Sequence, residues 1–105
     1  MNSNLETVFD FIKTTLDNNK VVLFMKGSKK FPQCGFSAQV VSILQLHGIT
    51  FLDVDIFAVE GLREGIKEFS SWPTIPQLYV NSKFIGGADI VRDLHQSNEL
   101  LDALK

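Results

Sequence analysis

The fold is decided by the stretch VVLFMKGSKKFPQCGFS, which spans residues 21–37 and contains the only cysteine of the chain. Its first five residues are an unbroken apolar run, which predicts a central strand covered on both faces. A polar loop follows, and residues 35–46 then carry apolar side chains at helical spacing. Cys34 therefore lies at a strand-to-helix junction, beside the unpaired N–H groups and the positive end of the helix dipole.

A lone cysteine is commonly a buried structural residue, and that interpretation of Cys34 stays open. Pro32 before it, Gly35 after it and the polar loop leading to it favour a sulfur at the surface of a helix start. There the helix dipole and the cation of Lys26 both favour the thiolate over the thiol. The surface position thus predicts a reactive cysteine.

Length and composition limit the class of protein. The 105 residues suit one domain with a single core, and a hydrophobic content of 45% argues against disorder. The net charge of −2 argues against a general nucleic-acid binder, and no apolar run approaches the ~20 residues that cross a bilayer. The lone cysteine and the lack of a targeting segment predict a cytoplasmic protein, although a trimmed organellar chain would look similar.

The remaining pattern predicts a strand–helix–strand unit, a helix, a β-hairpin and a final pair of helices. The two strands of such a unit are expected to be parallel, with a right-handed crossover between them. We therefore predict an α/β fold with a four-stranded mixed sheet and helices on both faces. The predicted elements are a helix capped by Ser3 and ended by Asn18-Asn19, strand 21–25, helix 35–46 closed by Gly48, strand 50–56, helix 60–69, strands 77–80 and 83–85 joined at Asn81-Ser82, a helix from Asp89 as N-cap to His95, and a helix from Ser97-Asn98 as cap to Lys105.

Four motifs together resemble the monothiol glutaredoxins of the CGFS class. They occur in the order and at about the spacing of that family, over nearly the whole chain. The resemblance implies a glutaredoxin domain over residues 1–105, with the thioredoxin fold extended by one helix at each end. It also implies that Cys34 is both the catalytic residue and the metal ligand. The motifs are Lys26, Cys34-Gly35-Phe36-Ser37, Trp72-Pro73-Thr74-Ile75-Pro76 and Gly86-Gly87-Ala88-Asp89.

Ser37 occupies the position at which a dithiol oxidoreductase has its second cysteine, and a hydroxyl cannot resolve a mixed disulfide. Many family members have a further cysteine where this chain has Ala88, so the resolving thiol must come from outside, with glutathione as the candidate. A [2Fe–2S] cluster usually takes four thiolates. Two chains with two glutathiones would supply four thiolates. From the sequence alone, an iron–sulfur cluster is one option among several. The resemblance implies such a labile cluster, transferred to apo-proteins.

The resemblance further implies a glutathione site made of cations, an anion and a free backbone edge. Lys26 and Arg63 suit the carboxylates of the tripeptide, and Lys67 lies on the same helix face as Arg63; each could instead be a solvated surface residue. Asp89 suits the ammonium group, although a plain helix cap would also explain it. The implied residues are Lys26, Phe36, Arg63, Lys67, Thr74, Ile75, Pro76, Gly87, Ala88 and Asp89, with Pro76 as the cis-proline of the fold and Phe36 as an exposed aromatic beside the sulfur.

Three functions remain open. The first is a glutathione-dependent [2Fe–2S] carrier that is a homodimer with its cluster and a monomer without it. The second is a weak monothiol oxidoreductase that removes glutathione from protein mixed disulfides. The third is a module that forms cluster-bridged complexes with BolA-like proteins, as the family does. His47 and His95 lack partners at metal-ligand spacing and are not predicted to bind metal.

Overall fold

The computed structural model describes residues 2–105, with side chains from residue 5 onward, and it shows an α/β fold. No helix in this part of the chain is both long enough and apolar enough to cross a bilayer. The elements are α1 (Asn2–Asn18), β1 (Val21–Met25), α2 (Gly35–Leu46), β2 (Leu52–Asp55), α3 (Leu62–Ser70), β3 (Gln77–Val80), β4 (Lys83–Gly86), α4 (Ala88–Gln96) and α5 (Leu100–Ala103).

The four strands form one mixed sheet in the order β2-β1-β3-β4. β1 pairs with β2 in parallel and with β3 antiparallel, and β3 pairs antiparallel with β4. All five residues of β1 are buried, because the strand has a neighbour on each side and helices on each face. The prediction of a central, doubly covered strand is confirmed.

Each face of the sheet has its own hydrophobic core, because side chains alternate along a strand. Val22 and Phe24 of β1 join the core under α1 and α3, whereas Val21, Leu23 and Met25 join the core under α2, α4 and α5. α1 packs against α3, and α2 packs against α4. This arrangement places helices on both faces, as predicted, and brings the N-termini of α2 and α4 to one end of the sheet.

Ser3 is not the N-cap that was predicted, because the helix already includes Asn2; the Ser3 side chain lies outside the described residues. The prediction that Asp89 caps α4 is wrong. Gly87 is the N-cap, and Asp89 lies in the first turn, where its carboxylate pairs with Arg92 at 3.5 Å. Gly87 has an extended backbone with ψ −160°, and the helix begins at the next residue, Ala88.

The prediction that Ser97-Asn98 begins α5 is also wrong, because these residues end α4. Ser97 is its C-cap, and Asn98 has φ +62°, a left-handed conformation that asparagine tolerates. The N–H groups of Asn98 and Glu99 donate to carbonyl oxygens of the last turn of α4, at 3.2 and 2.9 Å. Glu99 then becomes the N-cap of α5.

Candidate functional site

A cleft with a volume of about 400 Å³ opens at the end of the sheet where β1 leads into α2. This volume lies within the usual range for small-molecule sites. The loop after β1, α3, the loop before β3 and the N-termini of α2 and α4 all contribute to its walls. Every predicted site residue lines this cleft, namely Lys26, Cys34, Phe36, Arg63, Lys67, Thr74, Ile75, Pro76, Gly87, Ala88 and Asp89, together with Trp72, Pro73 and Ile90.

Cys34 is the N-cap of α2, with extended backbone angles, and it is half-buried rather than sealed in the core. The pKa of its thiol is lowered, first by the backbone N–H of Ser37, and then by the N–H of Phe36, the charge of Lys26 and the Ser37 hydroxyl. Partial burial of the thiol opposes this shift. The sulfur makes no cap hydrogen bond of ordinary length, so these N–H groups act on it as oriented dipoles.

Lys26 and Cys34 are brought to the same cleft by a closed loop. The Lys26 N–H donates to the buried Ser37 hydroxyl at 3.1 Å, and the Gln33 N–H donates to the Lys26 carbonyl at 2.9 Å. The buried Ser37 therefore joins the end of β1 to the first turn of α2. The predicted meeting of the lysine and the cysteine loop is confirmed.

Two carboxylates from β2, neither of them among the predicted site residues, hold this loop from outside. Asp55 Oδ1 accepts from the Gly27 N–H at 3.2 Å, and Asp53 Oδ2 accepts from the Lys29 N–H at 2.8 Å. The Lys29 ammonium donates to the Phe51 carbonyl at 2.8 Å and lies 4.4 Å from the Phe51 ring centroid. The sequence signal for these contacts was the pair of alternating aspartates in the predicted strand, because a partly buried carboxylate requires hydrogen-bond donors.

The wall opposite Cys34 contains the peptide bond Ile75–Pro76, which is cis as the resemblance implied. Gln77, fully buried in β3, supports this wall from behind. Its Nε2 donates to the carbonyl oxygens of Trp72 and Thr74, both at 3.2 Å, and its Oε1 accepts from the Tyr79 hydroxyl at 3.1 Å. A glutamine in an otherwise apolar strand was the sequence signal for this missed support.

Charges from the two helical layers flank the cleft. Arg63 and Lys67 come from α3 on one face of the sheet, whereas Asp89 comes from α4 on the other face. Arg63 also pairs with Glu64 at 3.2 Å, but both side chains are exposed, and such pairs contribute little. The cleft thus offers cations on one side and a carboxylate on the other.

Comparison with known proteins decides the family. A family model described as Glutaredoxin matches residues 21–85. The protein called probable monothiol glutaredoxin 2 of Rickettsia conorii is 55% identical over 97 residues, which cover 92% of this chain and 91% of that protein. This chain belongs to the monothiol glutaredoxins.

Two solved glutaredoxins show how closely the fold agrees. The solution structure of reduced poplar apo GrxS14 is 50% identical and has a TM-score of 0.77, covering 95% of this monothiol glutaredoxin and 89% of the poplar chain. A buckwheat glutaredoxin solved in complex with glutathione has a TM-score of 0.87, covering 99% of this chain and 93% of that chain. At 19% identity, the second likeness shows the fold alone.

His47 and His95, which have no partner at metal-ligand spacing along the sequence, contact each other in the structure. In this monothiol glutaredoxin, His47 Nε2 lies 2.9 Å from His95 Nδ1. No local pattern signals this pair, because the two residues are 48 positions apart and meet only through the packing of α2 on α4. Within the described part of the chain, no group of three or more metal-ligating side chains occurs.

Proposed function

We propose that this monothiol glutaredoxin binds glutathione in its cleft and carries a [2Fe–2S] cluster as cargo for apo-proteins, with residues 1–105 forming one glutaredoxin domain. The observation that carries the proposal is a single, half-buried cysteine with a lowered thiol pKa in a cleft with no second thiol. A thiolate is a soft ligand that suits iron–sulfur clusters.

The walls of the cleft match the chemical groups of glutathione. The tripeptide has two carboxylates, one ammonium group and an extended backbone. Lys26, Arg63 and Lys67 would bind the carboxylates, and Asp89 would bind the ammonium group. The backbone at Ile75 would pair with the peptide in the manner of an added strand. These contacts would place the glutathione sulfur beside Cys34.

The number of thiolates then sets the assembly. One chain supplies Cys34, and its bound glutathione supplies a second thiolate, so four ligands require two chains and two glutathiones. Ser37 is fully buried, and Ala88 replaces the further cysteine of many relatives, so this chain has no substitute ligand. Phe31 and Phe36 are 72% and 61% exposed, and they would cover the cluster between the two chains. We infer a homodimer with the cluster and a monomer without it.

Anaerobic reconstitution with iron, sulfide and glutathione tests the proposal. The expected product is a coloured dimer with two irons and two sulfides per pair of chains, which returns to a colourless monomer after chelation. Cys34→Ser should abolish the cluster, and Arg63→Ala should weaken glutathione binding about tenfold. Lys13→Ala, an exposed lysine of α1 outside the cleft, is the matched control. A colourless monomer at every glutathione concentration would contradict the proposal.

An oxidoreductase activity is the second candidate, favoured by the accessible cysteine and its lowered thiol pKa. The Cys34 thiolate would attack the glutathionyl sulfur of a mixed disulfide and release the protein thiol. A second glutathione would then attack the Cys34–glutathione disulfide, restore the Cys34 thiolate and leave as glutathione disulfide. Turnover of a glutathionylated peptide measures this activity. Fast turnover without cluster formation would make it the main function.

We also propose that a BolA-like protein can replace one of the two chains, with a partner histidine completing the ligand set. The cleft would keep Cys34 and one glutathione in such a complex. Mixing the cluster-loaded dimer with a BolA-like protein should change the visible spectrum and yield a heterodimer on a sizing column. An unchanged spectrum would contradict this extension without affecting the homodimer.

A further inference from the structure

The contact between His47 and His95 lies outside the cleft and is not used in the proposed function. His47 Nε2 and His95 Nδ1 are 2.9 Å apart, and the two rings meet edge to face with centroids 5.1 Å apart. Both residues are half-buried, so solvent reaches them. Imidazole nitrogens are common ligands of transition metals.

The helix ends hold the two rings in place. His47 is the C-cap of α2, and the N–H groups of residues 48–49 return to carbonyl oxygens of its last turn, both at 3.0 Å. His95 lies in the last turn of α4, which residues 98–99 close in the same way. Because the two helices pack against each other, the backbone positions that carry the two rings stay close together.

We propose that His47 Nε2 and His95 Nδ1 form a two-histidine site for a divalent metal ion of tetragonal geometry, with Cu²⁺ or Ni²⁺ as occupant. At a metal–nitrogen distance of ~2.0–2.1 Å, two nitrogens at a right angle lie about 2.9 Å apart. The same bonds at a tetrahedral angle need about 3.3 Å. The observed separation of 2.9 Å belongs to the hydrogen bond between the rings, and it shows that the two nitrogens can approach as closely as neighbouring ligands of a square-planar or octahedral ion.

Metal binding would replace the hydrogen bond between the rings. In the neutral pair one ring donates its N–H and the other accepts, so one of the two facing nitrogens carries a proton. That ring changes tautomer by moving its proton to the nitrogen that faces away, so the neutral pair releases no proton. Each ring must also turn so that both lone pairs meet at the ion, and the half-exposed side chains leave room for this rotation.

The site is separate from the cleft, although the same two helices connect them. α2 and α4 both begin at the cleft, where Cys34 and Gly87 are their N-caps, and both end at the histidine pair. The 12 residues of α2 span about 18 Å. Since no third metal-ligating side chain joins the pair within the described residues, water would fill the remaining positions.

Electron paramagnetic resonance with Cu²⁺ tests the site directly. The full chain with Cys34→Ser is used, because this change removes the thiol that Cu²⁺ would oxidise and leaves the histidines untouched. One Cu²⁺ per chain should bind, with a spectrum showing two nitrogen ligands. With His47→Gln or His95→Gln added, the spectrum should show one nitrogen ligand. Cu²⁺ affinity should fall by at least ~10–100-fold, which is the cost of losing a residue that only hydrogen-bonds to a metal ligand.

Ni²⁺ titration of the Cys34→Ser chain by calorimetry is the second measurement, since the Cys34 thiolate would itself bind the ion. Ni²⁺ should bind more tightly than Zn²⁺ and should raise the melting temperature as its concentration rises. Cu²⁺ binding that persists with two nitrogens in the double variant His47→Gln/His95→Gln would overturn the proposal, as would the lack of saturable binding of either ion. None of these outcomes depends on glutathione or on Cys34, so failure here leaves the proposed function untouched.

Discussion

At the residue scale, the chemistry of Cys34 depends on its immediate neighbours. The N–H of Ser37 is the largest influence that lowers the pKa of its thiol, and Lys26 adds a cation. An unfolded chain lacks this arrangement, so deprotonation of Cys34 favours the folded state. This contribution is fully present above the pKa of the unfolded thiol and is lost as the pH falls through the lower, folded pKa.

Alkylation of Cys34 by iodoacetamide across pH should therefore show a midpoint below the ordinary value of 9.0. Lys26→Gln should move the midpoint upward, because it removes the cation. Lys13→Gln removes the same positive charge from an exposed position of α1 and should leave the midpoint unchanged. A midpoint at or above 9.0 in the unmodified chain would refute the assigned environment.

Tyr79 is the second residue whose environment shifts a pKa. Burial raises the pKa of its hydroxyl to about 12, while a hydrogen bond from Ser70 works in the opposite direction. The neutral hydroxyl donates to Gln77 Oε1, and Gln77 in turn holds the carbonyl oxygens of Trp72 and Thr74. The shape of the cleft wall thus depends on a phenol buried behind it.

Tyr79→Phe should destabilise the protein by ~1–3 kcal/mol near neutral pH, because it leaves a buried amide oxygen without a donor. Between pH 10 and 12 the difference in the free energy of unfolding between the variant and the unmodified chain should become smaller. In this range the unfolded phenol is ionised and the folded one is not, so the stability of the unmodified chain falls as pH rises. Denaturant unfolding at several pH values measures both effects. A constant difference in stability up to pH 12 would mean that the Tyr79 hydroxyl has its ordinary pKa in the folded protein.

At the element scale, the loop between β1 and α2 is fastened to β2. Gly27 is buried and has φ +86°, and an added Cβ would lie 2.5 Å from the Phe31 carbonyl oxygen. Its N–H donates to Asp55, as does the N–H of Phe57 at 3.0 Å. One carboxylate therefore positions both the loop that leads to Cys34 and the turn that follows β2.

Asp55→Ala should destabilise the fold by ~1–3 kcal/mol, because the buried Gly27 N–H loses its acceptor. Amide hydrogen exchange should become faster at Gly27 and at Gln33 in the same loop, and glutathione affinity should fall. Asp10→Ala, which removes an exposed carboxylate from α1, serves as the charge control. Unchanged exchange in the loop would show that Asp55 does not position it.

At the scale of the whole molecule, α1 and α3 together close one face of the sheet. Their contact is close, because Gly65 of α3 faces Val8 of α1, and a Cβ on Gly65 would collide with the Val8 side chain. Val8 is buried in the same core as Ile66 and Tyr79. The glycine sets how near the two helices approach, and through α3 it sets where Arg63 lies at the cleft.

Gly65→Ala should destabilise the protein by up to about 2 kcal/mol, since an overpacking cost of ~1–3 kcal/mol is only partly offset by the ~1 kcal/mol that alanine gains in a helix. Val8→Ala alone leaves a cavity and should also destabilise. The double variant should be more stable than the sum of the two single changes, and denaturant unfolding of all four chains measures this coupling. Simple additivity would mean that the two residues do not contact each other.

Local signals predicted the elements that carry strong patterns. The residue range of β1 and the residue range of α2 agree with prediction, because the apolar run and the helical spacing are complete within each segment. Boundaries failed where two neighbouring residues could serve as caps. Gly87 and not Asp89 is the N-cap of α4, and Ser97-Asn98 end this helix instead of beginning α5. The choice of cap depends on how α4 packs against the sheet.

The amino-acid sequence by itself determined the strand–helix junction at Cys34 and the lack of a second thiol, and the family resemblance of its motifs implied most of the residues that line the cleft. Only the tertiary structure decided which distant groups meet there and elsewhere. Asp55 reaches Gly27 across 28 positions, and His47 reaches His95 across 48 positions. Local pattern follows from backbone sterics and side-chain periodicity, whereas such contacts depend on strand register and helix packing, which no short stretch of sequence encodes.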